Sequence, residues 1–174
     1  MSFKIVKKRD KMKKAMVIGD SNTWGYYPRS YFVGKYKKTW VEYLEVHDWK
    51  FISNGINGRC LHDILDMKVY EPYDFIWICL GTNDILQYRK IENIIEDMKI
   101  ILTHFENAGI LCPPVIEIVE FKQKSIELNQ EYMKLKVPCI PYEKAELCFD
   151  GIHFSESGHK QFASNINKIL NKKL

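Results

Sequence analysis

The sequence predicts an α/β protein, a three-layer α/β/α sandwich around a central, mostly parallel five-stranded sheet. Three observations carry that expectation. Short apolar runs alternate with stretches of helical periodicity along the chain, and strand–helix alternation packs as a parallel sheet covered on both faces. The runs are close to continuous rather than alternating, as strands buried on both sides are. Two of them end in glycine followed by polar residues, the form of a strand-to-helix loop. At 174 residues the chain is long enough for one domain with its own core.

Residues 15–18, Ala-Met-Val-Ile, predict the first strand, which stops at Gly19. Trp40, Tyr43, Leu44 and Val46 then predict a short amphipathic helix. Residues 49–53 read as a second strand ending at Asn54-Gly55, and Leu61, Ile64, Leu65 and Val69 as a second helix. Residues 74–80 are the clearest buried strand, closed by Gly81. Ile91, Ile94, Ile95, Met98, Ile101, Leu102 and Phe105 share one face of a third helix, with Gly109 as its expected stop. Beyond Pro113-Pro114, residues 115–119 predict the fourth strand, 125–135 a helix and 137–140 a short edge strand. Ser155 opens the last helix, whose inner face carries Phe162, Ala163, Ile166, Ile169 and Leu170.

The net charge is +4, but residues 1–14 alone carry +6, from Lys4, Lys7, Lys8, Arg9, Lys11, Lys13 and Lys14 against Asp10. We therefore read 1–14 as a basic N-terminal extension and 15–174 as a single domain with a charge of −2. That balance excludes a basic nucleic-acid binder. The apolar stretch behind the basic residues is four long, too short for a secretory leader, and nothing approaches a membrane span. Cys60, Cys79, Cys112, Cys139 and Cys148 are odd in number and lack metal-type spacing, which suits reduced thiols in a cytoplasmic protein. Neither a metal nor a cofactor is called for. The expected partner is a small-molecule substrate, with no nucleic acid and no membrane, and homo-oligomerisation is left open.

In a doubly wound sheet every strand-to-helix loop opens on the same edge. The loops here hold Asp20-Ser21, Asn54-Gly55-Ile56-Asn57-Gly58 and Gly81-Thr82-Asn83-Asp84, while Asp150-Gly151-Ile152-His153 precedes the final helix. They bring a hydroxyl, a flexible backbone N–H, a neutral amide, a carboxylate and an imidazole to one edge, the parts that serine acyl transfer needs. Asp-x-x-His puts acid and base one turn apart, and glycine at 58 permits close backbone approach. On its own, Asp-Ser after a strand is equally a plain helix cap.

Gly-Asp-Ser-x-Thr, Gly-x-x-Gly, Gly-x-Asn-Asp and Asp-x-x-His, in that order over nearly the whole chain, resemble the SGNH (GDSL) esterase and lipase superfamily. Residues 19–26 and 54–59 are similar to its arylesterase branch, and residues 150–159 to its closing block. The resemblance implies the flavodoxin-like SGNH-hydrolase fold, with Ser21 as nucleophile, His153 as general base and then acid, and Asp150 fixing the imidazole. It also implies an oxyanion hole from the backbone N–H of Ser21, the backbone N–H of Gly58 and the side chain of Asn83. The activity implied is hydrolysis of short-acyl carboxylic esters, such as O-acetyl groups of a sugar or small metabolite, through an acyl-enzyme on Ser21. Acyl transfer by the same intermediate is the neighbouring alternative. A catalytically inactive flavodoxin-like ligand-binding module is the alternative of another class, which leaves Asp150 and His153 without a use.

Trp24, Tyr26 and Asn57 are candidates for the substrate pocket, with turn shaping as the plainer role of Asn57. Arg59 reads as a surface ion-pair residue or a steering charge for an anionic substrate. Asp20 and Asp84 read as loop braces, His159 as a packing or solvent residue, and His47, His62 and His104 as surface residues. The short segments 26–40 and 119–150 leave little chain for long lids, which predicts an open, shallow pocket for small acyl groups.

Overall fold

The computed structural model describes residues 12–28 and 34–172. In chain order its strands are β1 (Lys13–Gly19), β2 (Tyr26–Tyr27), β3 (Gly34–Lys35), β4 (Trp49–Gly55), β5 (Phe75–Cys79), β6 (Ala108–Leu111) and β7 (Cys139–Ile140). Its α-helices are α1 (Ser21–Trp24), α2 (Thr82–Leu86), α3 (Ile91–Thr103), α4 (Val119–Lys134) and α5 (Glu156–Leu170). Five strands form one sheet in the order β4-β1-β5-β6-β7, with every pairing parallel, while β2 and β3 make a small antiparallel hairpin. The chain starts inside the sheet, steps out to β4, and then crosses back to build the other half. The winding reverses beside β1, the place where open α/β sheets hold their ligands.

The period of two along each strand divides the core. Met16, Ile18, Ile76 and Ile78 pack on one face with Ile94, Met98 and Ile101 of α3 and with Leu128 and Tyr132 of α4. Ala15, Val17, Trp77 and Cys79 pack on the other with Trp40 and with Phe162, Ala163 and Ile166 of α5. Fully burying one large apolar side chain stabilises by about 1.5–3 kcal/mol, so both layers hold the sheet firmly. The register levels the strand ends: Gly19 lies opposite Gly55 on one side and Cys79 on the other. The loops after β1, β4 and β5 therefore leave from one height.

The structure corrects several of the expected elements. The fourth strand is β6, not residues 115–119. Gly109, expected as a helix stop, lies within β6 because Pro138 O and the Trp77 ring crowd the place a Cβ would occupy. Residues 115–118 run on behind Pro113-Pro114 as a connection, since β7 already fills the position beside β6. Helix α4 starts at Val119, six residues before the expected start, so residues 119–122 are its first turn. The helices expected over 40–46 and 61–69 are single 3₁₀ turns, Trp40–Tyr43 and Leu61–Ile64. So short a periodic stretch has too few internal hydrogen bonds to propagate a helix. Lys13 and Lys14 belong to β1, so the domain begins before residue 15, and the expected extension otherwise lies outside the described residues up to residue 11. No helix among the described residues is long and apolar enough to cross a membrane.

Candidate active site

Ser21 is the first residue of α1, directly beyond β1, and Asp20 is the N-cap, its Oδ1 accepting from Asn22 N–H at 2.9 Å. The Ser21 hydroxyl lies 2.9 Å from His153 Nε2. On the far side of the ring, Nδ1 is 2.6 Å from Asp150 Oδ2. Asp150 Oδ1 accepts the backbone N–H groups of Ile152 (3.0 Å) and His153 (3.1 Å). Burial would raise this carboxyl, but the bond from His153 and the two backbone donors outweigh it and hold it below the ordinary aspartate range. An ionised Asp150 accepts only, which places the proton of the neutral ring on Nδ1 and leaves the Nε2 lone pair for the serine hydroxyl.

Asp150 and His153 ride on a closed loop. Leu147 bridges to Phe154, and Cys148 N–H donates to the His153 carbonyl at 2.7 Å. The Tyr26 ring sits 4.6 Å from the His153 ring and limits its rotation.

Residues 56–59 form a tight turn closed by Arg59 N–H to the Ile56 carbonyl. Gly58 occupies its third position with φ +76°, a conformation that side-chain-bearing residues adopt at a cost. Asn83, on the first turn of α2, donates through Nδ2 to the Arg59 carbonyl at 3.1 Å. An amide has two N–H groups, so holding the turn with one leaves another to donate. Asp84 is fully buried and accepts from Leu61 N–H and from the Arg89 guanidinium. Asn83 thus holds the Gly58 turn to α2, and Asp84 holds the start of the next turn at Leu61.

Arg59 is corrected in both of its expected roles. Its guanidinium is buried and donates to the carbonyls of Gly19 (3.2 Å) and Asn54 (2.6 Å) and to Asn54 Oδ1 (3.1 Å). It ties the ends of β1 and β4 together beneath the loops. The Gly19 carbonyl also accepts from Ile56 N–H at 3.1 Å, so the guanidinium is a second donor at the strand end.

Among the candidate pocket residues, Tyr26 touches the His153 ring, Trp24 lies beneath Lys35 Nζ at 5.1 Å, and Asn57 is exposed on the turn beside Gly58. His159 is buried, with Nδ1 accepting from Trp40 N–H at 3.2 Å, so it is a packing residue and not a solvent one. His47 and His62 are exposed, as expected. Cys60, His62 and Asp84 bring potential metal-ligand atoms within 4.8 Å of one another. Asp84 is already committed to Arg89, and burial pushes the Cys60 thiol up to about 12, so this trio suits packing better than a cation.

The family model described as GDSL-like lipase/acylhydrolase matches residues 16–166. The chain belongs to that family. This GDSL-like acylhydrolase is therefore a carboxylic ester hydrolase by membership. It is similar in structure to an aryl esterase of M. smegmatis, with 20% identity, a TM-score of 0.75, and coverage of 93% of this chain and 100% of that one. A carbohydrate acetylesterase from Sinorhizobium meliloti is 19% identical with a TM-score of 0.78, covering 93% and 100%. An acetylxylan esterase from Geobacillus stearothermophilus is 16% identical with a TM-score of 0.72, covering 91% and 94%. At these identities the likeness establishes the shared α/β/α architecture. A search of curated proteins returned no match.

Proposed function

We propose that this GDSL-like hydrolase cleaves short-acyl esters through an acyl-enzyme on Ser21. The observation that carries the reading is the continuous relay from Ser21 Oγ through His153 to Asp150, at 2.9 and 2.6 Å. His153 Nε2 takes the serine proton as Oγ attacks the ester carbonyl, forming a tetrahedral oxyanion. The N–H groups of Ser21 and Gly58 and the Asn83 amide receive that charge. Collapse breaks the C–O bond, and His153 returns its proton to the departing alcohol. Water then attacks the acyl-enzyme with His153 again as base, releasing the acid and restoring the Ser21 hydroxyl. Asp150 stays ionised throughout and stabilises the imidazolium.

A polyol is a fitting alcohol. A cavity of about 940 Å³ lies beside residues 147–149 of the triad loop, with Ser21 and His153 outside its lining, and is walled by Tyr27, Tyr36 and Tyr43 and by Lys35, Lys37 and Lys38 among others. Aromatic faces and polar side chains of this kind suit a sugar ring, and two of the structural neighbours are named for carbohydrate esters. Turnover of p-nitrophenyl acetate tests the nucleophile: Ser21→Ala is expected to lose several orders of magnitude in kcat, down to the residual rate left by binding and the oxyanion hole. Wild-type turnover in that variant would overturn the assignment.

A further inference from the structure

Asn22 follows Ser21 on the same single-turn helix and is 1% exposed. Its amide reaches across the fold to the loop that carries His153. Nδ2 donates to the Ile152 carbonyl at 3.1 Å, and Oδ1 accepts from Phe154 N–H at 2.8 Å. Those two peptide groups flank His153, one on each side. An amide that donates before a residue and accepts after it does what the peptide of a neighbouring strand does in a ladder. Aspartate has no donor for the Ile152 carbonyl, leucine has neither group, and glutamine is a methylene too long.

The tie matters because Ser21 and His153 hang from distant parts of the sheet. Ser21 is set by the end of β1. The triad loop follows β7, and β5 and β6 lie between those strands. Among the described residues, the other backbone anchor of the loop, Glu117 N–H to the Gly151 carbonyl at 2.8 Å, reaches the segment leading into α4 and not β1. The bonds across its base hold it only to itself. Asn22 joins the nucleophile's turn directly to the base's backbone.

We propose that Asn22 is a positioning residue that sets the distance and angle between Ser21 Oγ and His153 Nε2. The proposal rests on reading Ser21 and His153 as nucleophile and base. Losing the clip frees the His153 backbone to drift from the serine, and a misplacement of about 1 Å typically costs about 100-fold in rate.

The test is a double-mutant cycle on p-nitrophenyl acetate, with Asn22→Leu and Asn22→Asp made in wild-type and His153→Ala backgrounds. In the wild type each substitution is expected to lower kcat by about 100-fold, with KM changed less than threefold. In the His153→Ala background, where no base remains to be positioned, the same substitutions should leave the residual rate unchanged. A wild-type kcat in the Asn22 variants, or an equal loss in both backgrounds, overturns the proposal. Asn22→Asp keeps the shape and the acceptor for Phe154 N–H, so it decides the question if the leucine variant does not fold. Ser21→Ala run alongside separates the two readings. If it stays active, the nucleophile assignment fails. If it is inert while the Asn22 effects are additive, only the clip fails.

Discussion

Asp20 and His159 are both buried, and their titrations push folding stability in opposite directions over nearly the same pH range. Burial raises the Asp20 carboxyl from 3.8 to about 6, against the opposing pull of Asn22 N–H and His153. The native state therefore holds a proton that the unfolded chain releases at 3.8. Stability from this group is full below 3.8 and is lost as pH rises through about 6. At about 1.4 kcal/mol per pH unit the loss is about 3 kcal/mol. His159 behaves in the reverse sense. Burial first, and then the charge of His153, lower it from 6.5 to about 4, and a second proton on Nδ1 would displace the Trp40 N–H. Its stability is full above 6.5 and is lost as pH falls through about 4, again about 3 kcal/mol.

In the wild type the two contributions nearly cancel between pH 4 and 6. Asp20→Asn removes one of them while leaving an oxygen to accept from Asn22. Urea unfolding of wild type and variant at half-unit steps from pH 4 to 7 isolates the difference, because the other carboxylates titrate alike in both. The stability of Asp20→Asn relative to wild type should rise by about 3 kcal/mol between pH 4 and 6.5. His159→Asn, which keeps an acceptor near Trp40 N–H, should show the mirror slope relative to wild type. Parallel curves for Asp20→Asn and wild type would mean that Asp20 is ionised in the native state throughout, and the desolvation argument would fail.

Asn83→Ala removes a proposed oxyanion donor and should lower kcat on p-nitrophenyl acetate by roughly 100- to 1000-fold, read at saturating substrate. Gly55→Ala would put a Cβ 2.2 Å from Trp24 N, so the turn carrying Ser21 must shift; both the melting temperature and kcat are expected to fall. Gly58→Ala meets no atom within 4 Å, so its stability cost is the strain of a positive φ alone, about 1–2 kcal/mol by urea unfolding.

The sheet was legible wherever strands are buried on both faces, because β1 and β5 then appear as unbroken apolar runs. β6 was not, since Ala-Gly-Ile-Leu is short and its glycine looks like a helix stop until the neighbouring Trp77 is in place. Helical spacing over seven residues around Trp40 is satisfied by one 3₁₀ turn as well as by a helix, so period alone could not choose. Ser21, Gly58, Asn83, Asp150 and His153 stood out because each lies in a loop at the sheet edge or just before the final helix. The roles of Arg59 and Asn22 did not. Both act on backbone groups far away in sequence, and a residue's type does not say whether its side chain turns inward.

The closed loop of residues 147–154 has a consequence for how such a protein can change. Acid, base and the bonds between them sit within one stretch of chain whose two feet are already joined. The spacing of Asp150 and His153 is therefore a property of that stretch and travels with it as a cassette. The chain leading into it is fixed separately: Ala145 is buried with its N–H and carbonyl both on the Tyr142 hydroxyl, and the Glu146 carbonyl accepts from Ser155 N–H. The spacing inside the relay is thus set within residues 147–154, and its seat against the serine by contacts outside them.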